Sequence, residues 1–215
     1  MDADCELMLQ VKKGEVAAFN QILEKYQGPI INFVYRFVGS REKAEEIAQE
    51  VFLRIYLARG RYRVRAKFST YIYRIAKNLS LNTLRKRKLR IISLNQPIPG
   101  KNGEIEREFA DSSQISPAEV LAKKEAGARV KKALDSLPAP QKTAIILNRY
   151  NDLSYEEIGK VMNLSLPAVK SLLHRAKESL RKRLKGVNYT PPPHILPLPP
   201  LQTRRTGKGG GKRWG

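Results

Sequence analysis

The sequence predicts an all-α protein in which a flexible linker joins two small helical domains, the C-terminal one containing a helix-turn-helix. Apolar residues recur at intervals of three and four along most of the chain, which is the period of an amphipathic helix. A stretch rich in Pro, Gly, Ser and acidic residues interrupts this pattern at residues 91–116. Beyond it, two short amphipathic segments flank a brief turn, which is the outline of a helix-turn-helix.

The N-terminal domain, residues 5–90, begins with two strongly helical segments. Apolar residues from Glu6 to Tyr26 keep helical spacing with an interruption near Gly14, which predicts one helix or two. The dipeptide Gly28-Pro29 predicts a break. A second, almost continuously apolar segment follows and ends at Gly39, a residue type that commonly caps the C-terminus of a helix.

A third helix, a basic loop and a fourth helix complete this domain. Ser40 is a good N-cap, and the apolar stripe that follows it predicts a helix to about residue 59. In residues 59–67 a basic side chain occupies every second position and no acid occurs, which predicts an extended or irregular loop. Ser69 or Thr70 is expected to cap the fourth helix, which leads into the basic run at 85–88.

The C-terminal domain, residues 117–185, contains the helix-turn-helix. Pro117 suits the first turn of a helix, and Pro138 and Pro140 predict a break before the pattern resumes toward residue 150. Ser154 and Glu157 have the spacing of a capping box, so a short helix is expected to begin there. After a turn, the last helix places its apolar side chains within one arc up to residue 184.

The tail, residues 186–215, differs from both domains in composition. It holds many prolines and basic residues but no acid, which predicts disorder. Its charge could tether the chain weakly to nucleic acid, or it could be a solvated tail with no specific partner.

Charge and composition restrict the classes of function. With 41 Lys and Arg against 20 Asp and Glu, the net charge is +21, which favours a polyanionic partner such as nucleic acid. The single cysteine, Cys5, and the absence of a secretion signal predict a cytoplasmic protein, and no apolar run is long enough for membrane insertion. Because the chain has only two His and one Cys, we expect no metal site, no cofactor and no His-based catalytic triad.

Three stretches form a pattern by their order and spacing: residues 44–56 (AEEIAQEVFLRIY), residues 68–78 (FSTYIYRIAKN) and residues 153–159 (LSYEEIG), the last leading into residues 169–176. Together they resemble the sigma factors of bacterial RNA polymerase, specifically the small extracytoplasmic-function group of the sigma-70-like proteins. The resemblance covers residues 5 to 185, with a region 2-like N-terminal domain and a region 4-like C-terminal domain. It implies a protein that directs core RNA polymerase to promoters and is not itself an enzyme.

An acidic face is predicted on the third helix. Glu46, Gln49 and Glu50 stand at i, i+3 and i+4, so they share one side of the helix, and acids on so basic a chain favour a basic protein partner. The resemblance implies that these residues dock onto the beta-prime clamp coiled coil of core polymerase. It also implies contact with the beta flap and an anti-sigma factor as a further partner. The alternative is an ordinary solvated helix face.

The basic loop and the fourth helix combine cations with aromatic residues, which suits single-stranded nucleic acid. The resemblance implies that this surface holds the nontemplate strand of the minus-ten element and captures an extruded base. Tyr71 and Ile75 are expected to pack in the core instead. The candidate strand-binding residues are Arg65, Lys67, Phe68, Asn78 and Asn82, with Lys77 and Arg85 on the DNA backbone.

The last helix is the expected recognition helix, which would enter the major groove of duplex DNA. The resemblance implies that this duplex is the minus-thirty-five element. The family often has Thr where this chain has Ala168 and Arg where it has Leu172, so this helix has less polar reach toward DNA. Leu172 lies beside the apolar stripe and is expected to widen it. The candidate duplex-binding residues are Ser165, Pro167, Lys170, Ser171, His174 and Arg175.

Three other functions remain open from the residues alone. A helix-turn-helix repressor or activator would read duplex DNA and use the N-terminal helices to dimerise. A DNA-processing enzyme would need catalytic carboxylates, for which the acids Glu42, Glu45, Glu46 and Glu50 are the only cluster in the N-terminal domain. An RNA-binding module is compatible with the charge.

Overall fold

The computed structural model describes residues 2–94 and 117–184, and within these ranges every long regular element is an α-helix, as the sequence predicts. The predicted tail and all but the first residues of the predicted linker lie outside the described residues. The helices of the N-terminal domain are α1 (Ala3–Lys13), α2 (Val16–Val38), α3 (Arg41–Leu57) and α4 (Phe68–Leu94). Those of the C-terminal domain are α5 (Pro117–Asp135), α6 (Ala139–Tyr150), α7 (Tyr155–Met162) and α8 (Leu166–Arg183).

The first two helices are separated at Gly14, where the sequence predicts an interruption. Gly14 has a φ of 104°, in the left-handed region that favours glycine, and its N–H closes the end of α1. The predicted break at Gly28-Pro29 is wrong, because α2 continues through Pro29 to Val38. Ile22, Ile30 and other buried residues stay in helical register across it, so packing outweighs the backbone hydrogen bond that Pro29 cannot donate.

The third helix begins where the sequence predicts. The hydroxyl of Ser40 accepts a hydrogen bond from the backbone N–H of Lys43 at 3.3 Å, which makes Ser40 the N-cap of α3. A 3₁₀ turn at Arg59–Arg61 follows, and the remainder of the basic loop is irregular.

The fourth helix differs from the prediction at both ends. It begins at Phe68, so Ser69 and Thr70 lie inside its first turn and do not cap it. Instead Asp2, at the start of the chain, accepts a hydrogen bond through Oδ2 from the backbone N–H of Phe68. At its other end α4 extends through residues 91–94, which the sequence predicts to be linker.

Polar contacts fix α1 against α2. The carboxylate of Asp4 is buried, and it accepts hydrogen bonds of 2.6 Å from both Lys25 Nζ and Tyr26 Oη. Burial, followed by the hydrogen bond to Asp4, raises the pKa of Tyr26. This network ties the first turn of α1 to the middle of α2.

The C-terminal domain contains the predicted helix-turn-helix, formed by α7 and α8. Ser154 and Glu157 form both hydrogen bonds of the capping box that begins α7. In the turn, the backbone N–H of Leu164 donates to the carbonyl of Gly159 at 2.9 Å. The predicted break at Pro138 and Pro140 is the boundary between α5 and α6, with Pro140 in the first turn of α6.

Candidate nucleic-acid interface

The acidic face of α3, formed by Glu46, Gln49 and Glu50, lies opposite the helix's buried side. Glu46 and Gln49 are exposed and Glu50 is half-buried. Glu46 forms an ion pair with Lys43, and Glu50 one with Arg54 at 2.6 Å. Pairs this exposed contribute about 0 to 1 kcal/mol, so a partner can replace them at little cost.

Two exposed leucines continue this face toward the C-terminus of α3. Leu53 is 51% exposed and Leu57 is 70% exposed, and both lie on the outward side. Neither of them is among the site residues predicted from the sequence. Helical periodicity could have predicted their exposure, because they lie on the side of α3 opposite the buried Val51 and Ile55.

The basic loop rests on an aromatic base. Tyr62 is buried, and its ring lies 5.5 Å from that of Tyr71 and 6.4 Å from that of Phe68, measured between centroids. Lys12 Nζ donates to the Tyr62 carbonyl at 3.1 Å, and Arg59 donates to the carbonyl of Tyr56 at 2.9 Å. These contacts fix the loop backbone, while Arg61, Arg63 and Arg65 are exposed.

A cleft of about 560 Å³ lies between this loop and the start of α4. Thr70 lines it, and the buried hydroxyl of this residue has no hydrogen-bond partner among the described residues. Of the cations that line this cleft, only Arg65 is among the strand-binding residues predicted from the sequence. The alternating basic pattern of the loop also points to Arg61 and Arg63. The charged and aromatic residues of the lining are Arg61, Arg63, Arg65, Arg74, Lys160, Tyr62 and Tyr71.

One predicted strand contact is wrong. Phe68 has no exposed surface, and it packs against the rings of Tyr26, Tyr62 and Tyr71. A side chain buried in this way cannot stack on a DNA base, so Phe68 instead supports the loop from beneath. Tyr71 and Ile75 are half-buried and pack against the core, as expected.

The other predicted strand-binding residues lie on the loop or on one side of α4. Arg65, Asn78, Asn82 and Arg85 are exposed. Helical geometry places Arg74 on the same side of α4, although it is not among the residues predicted from the sequence.

Lys67 and Lys77 contact the C-terminal domain. Lys67 Nζ forms an ion pair with Glu157 at 2.9 Å, and Lys77 Nζ donates to the carbonyl of Val161 at 3.1 Å. The hydrogen bond and charge of Glu157 raise the pKa of Lys67, whereas burial, followed by the charge of Arg74, lowers the pKa of Lys77.

Further contacts join the two domains. Arg74 donates to the carbonyl of Lys160, and Asn151 Nδ2 donates to Tyr73 Oη at 2.7 Å. The guanidinium of Arg36 lies 3.6 Å from the centre of the Tyr150 ring, in a cation–π contact. In the N-terminal domain, α4 therefore faces α7 of the C-terminal domain, and α2 faces α6.

The recognition helix α8 buries Val169, Leu173, Ala176 and Leu180 and turns its opposite side outward. Leu172 packs partly buried against the core and widens this stripe, as the sequence predicts. Ser165 occupies the N-cap position but makes no side-chain capping bond. One of the predicted duplex-binding residues, Ser171, is half-buried. The others are exposed, namely Ser165, Pro167, Lys170, His174 and Arg175.

Both domains match known families. Residues 22–90 match Sigma-70 region 2, and residues 128–180 match Sigma-70 region 4. The chain is 34% identical over 178 residues to the ECF RNA polymerase sigma factor SigW of Bacillus subtilis, covering 83% of this chain and 95% of that protein. The chain belongs to the extracytoplasmic-function sigma factors. This sigma factor is also 32% identical over 185 residues to the RNA polymerase sigma-H factor of Pseudomonas aeruginosa, covering 86% and 95% of the two chains.

Solved structures share the fold of this sigma factor. CnrH, solved in complex with the cytosolic domain of CnrY, gives a TM-score of 0.63 at 21% identity and covers 85% of this chain and 97% of its own. The sigma factor RpoE of Bartonella quintana, solved with the anti-sigma factor NepR, gives a TM-score of 0.57 at 24% identity and covers 78% and 97%.

Family membership establishes the general function. This sigma factor binds core RNA polymerase and directs it to promoters, with region 2 serving the minus-ten element and region 4 the minus-thirty-five element. Among the described residues, no helix combines the length and apolar character needed to cross a membrane.

Proposed function

We propose that this sigma factor docks onto core polymerase through the acidic face of α3, holds the minus-ten strand on the basic loop and α4, and reads the minus-thirty-five duplex with α8. The observation that carries the docking assignment is the outward orientation of Glu46, Gln49 and Glu50 on a chain with a net charge of +21. In this assignment the polymerase supplies nucleotidyl transfer, and the sigma factor supplies no catalytic group.

The exposed leucines support the docking assignment. Leu53 and Leu57 place apolar surface beside the acids, so a basic helix that also carries apolar side chains would match both halves of the face. Burying a leucine side chain contributes about 1.5 to 3 kcal/mol, whereas an exposed ion pair contributes about 1 kcal/mol or less. The acids would then set orientation, and the leucines would supply a large part of the affinity.

The strand assignment rests on exposed cations and amides of the basic loop and α4. Arg65 on the loop and Arg85 on α4 can contact phosphates, while Asn78 and Asn82 can hydrogen-bond to base edges or sugars. The cleft at the start of α4 is lined by arginines, two tyrosines and Lys160 of the C-terminal domain, so an extruded base could enter it. Lys67 and Lys77 would join this surface when the C-terminal domain moves away.

The duplex assignment rests on the exposed N-terminal half of α8. Pro167, Ser171 and His174 face outward, and Lys170 and Arg175 flank them. This arrangement would place His174 and Ser171 at base edges and the two cations at phosphates. Ser165 completes the N-terminal end of the recognition helix.

Further partners follow from the family. We assign the beta-prime clamp coiled coil and the beta flap as polymerase contacts, and the cytoplasm as the location where polymerase is met. The two structurally similar proteins were solved with CnrY and with the anti-sigma factor NepR, which supports a proposed anti-sigma partner for this chain.

The docking test is a charge reversal on α3. The double variant Glu46→Arg and Glu50→Arg should lose co-elution with core polymerase on gel filtration and lose run-off transcription from genomic DNA. The matched control is Glu6→Arg with Glu24→Arg, two exposed acids on α1 and α2 that change the net charge equally. Co-elution that the α3 variant retains would contradict the docking face. Absence of any start sites with the native chain would favour a repressor or activator.

A further inference from the structure

We propose that α1, together with its N-cap residue Asp2, positions the basic loop: its polar side chains hold the loop backbone in the conformation that binds the minus-ten strand. The inference rests on the strand assignment given under Proposed function. It adds residues that lie outside the strand-binding surface and act on the strand only through the loop.

The basic loop has little structure of its own. Residues 62–67 form no regular element, and within the described chain no backbone N–H of residues 63–67 donates to a backbone carbonyl. Arg61, Arg63 and Arg65 are exposed and carry like charges that repel one another. Such a segment keeps a single conformation only where other parts of the domain hold it.

Two side chains of α1 contact the loop backbone. Lys12 Nζ donates to the carbonyl of Tyr62 at 3.1 Å, and Cys5 Sγ donates to the carbonyl of Ala66 at 3.5 Å. The hydroxyl of Tyr62 donates in turn to Cys5 Sγ at 3.5 Å, so the thiol contacts the loop at two points. Arg65, a proposed strand contact, lies between the two held carbonyls.

Asp2 continues this line of contacts past the end of the loop. Its carboxylate accepts a hydrogen bond of 3.2 Å from the backbone N–H of Phe68, the residue that follows the loop. Because Asp2, Cys5 and Lys12 are three and seven residues apart, helical geometry aligns them along one side of α1. This side therefore holds the loop near its start, near its end and at the residue beyond it.

The position of α1 does not depend on the loop. Met8 and Val11 are buried in the core, and the carboxylate of Asp4 is bound by Lys25 and Tyr26 of α2. A helix anchored in this way can order the loop before DNA arrives. A loop that is already ordered loses less conformational entropy on binding, so the contacts with α1 should strengthen strand binding.

Lys12 and Lys13 form a matched pair for the test. Both are exposed lysines in the last turn of α1, so Lys12→Ala and Lys13→Ala remove the same charge. Of the two, Lys12 alone donates to the loop in the described part of the chain. Lys12→Ala should therefore bind fluorescein-labelled poly(dT) several-fold more weakly than Lys13→Ala in anisotropy measurements. Lys12→Arg, which keeps a donor, should recover most of the affinity.

Two further measurements distinguish positioning from direct DNA contact. In hydrogen–deuterium exchange without DNA, the amides of residues 62–67 should exchange several-fold faster in Lys12→Ala than in Lys13→Ala, while those of α2 exchange alike. The salt dependence of poly(dT) binding should be equal in the two variants, because a positioning residue makes no phosphate contact.

Cys5→Ala tests the same role without a change in charge. It removes the thiol that contacts Ala66 and Tyr62, and it should weaken poly(dT) binding and speed loop exchange several-fold. Cys5→Ser keeps a small donor and should have a smaller effect. Urea unfolding of both variants checks that the domain still folds, so that a loss of binding reports on the loop.

The outcomes separate this inference from the function on which it rests. Equal poly(dT) affinity of the two lysine variants would overturn the positioning role, as would equal loop exchange. A salt slope shallower by about 0.7 in Lys12→Ala alone would assign Lys12 to a phosphate and also overturn it. If the native chain did not bind poly(dT), the strand assignment would fail, whereas faster loop exchange in Lys12→Ala would still show that α1 holds the loop.

Discussion

The backbone N–H of Phe68 donates a hydrogen bond of 3.2 Å to Oδ2 of Asp2, a residue 66 positions earlier in the chain. This N–H is the first of α4 and has no partner within the helix. The bond therefore ties the chain's N-terminus to the helix that carries the proposed strand surface.

Removing this distant cap should destabilise the N-terminal domain. Asp2→Ala leaves the Phe68 N–H without its carboxylate partner, and we expect a loss of about 1 kcal/mol in the free energy of unfolding, measured in urea. Asp2→Asn keeps an acceptor at the same place and should lose less. Equal stability of the alanine variant and the native chain would show that the cap contributes nothing.

Gly159 should not tolerate a side chain. A Cβ at this buried position would lie 2.8 Å from the carbonyl oxygen of Leu164, in the turn between α7 and α8. Gly159→Ala must therefore shift the turn, and we expect it to cost about 1 to 3 kcal/mol and to weaken duplex binding. Urea unfolding and anisotropy with duplex DNA measure the two effects.

The chain supplies a matched control in Gly127, which lies within α5, where an added Cβ would meet no atom within 4 Å. Gly127→Ala should raise stability by about 0.5 to 1 kcal/mol, because alanine favours the helix. If both alanine variants behaved alike, the close approach at Gly159 would have no energetic importance.

Stability should fall at alkaline pH. Burial is the first cause that raises the pKa of Tyr26, Tyr62 and Tyr73 above the usual value near 10, and for Tyr73 it reaches about 12. Between pH 10 and 12 the unfolded chain has lost these protons while the folded chain retains them. Below pH 10 these tyrosines should therefore have no effect on the free energy of unfolding. Above pH 10 each tyrosine should lower the free energy of unfolding by about 1.4 kcal/mol per pH unit.

Urea unfolding across this pH range checks the slope. Tyr26→Phe removes one of the titrating groups, so its stability should decline less steeply than that of the native chain. A variant with an unchanged slope would contradict the role of Tyr26, whose hydroxyl donates to Asp4 at 2.6 Å.

The salt dependence of duplex binding should identify phosphate contacts on α8. Lys170→Ala with Arg175→Ala removes two exposed cations, and we expect the slope of log affinity against log salt to become shallower by about 1 for each lost phosphate contact. The control, Arg129→Ala with Lys132→Ala on α5, removes the same charge from another helix. Equal slopes for the two double variants would argue against groove docking by α8.

Local signals explain which parts of the fold could be predicted. Ser40, Ser154 and Glu157 cap their helices through residues three positions apart, so the sequence discloses both N-termini. The continuation of α2 through Pro29 could not be predicted in the same way, because it depends on how Ile22 and Ile30 pack in the folded domain.

The sequence predicts which residues of the proposed site share a helix face, but not which side chains from different elements come into contact. Helical periodicity places Glu46 and Glu50 together and aims His174 outward. It does not show that Phe68 is enclosed by tyrosines, because the ring of Tyr26 comes from a distant part of the chain and that of Tyr62 reaches Phe68 through the conformation of an irregular loop. Nor could charge alone assign Glu157 to Lys67, since many other basic residues could equally have been its partner.

The contacts between the two domains, among them the ion pair of Lys67 with Glu157, have a consequence for affinity. Where only molecules with separated domains can bind a strand, the measured dissociation constant equals the intrinsic constant divided by the fraction of such molecules. A ligand that holds the domains apart would therefore tighten strand binding without adding any contact to DNA.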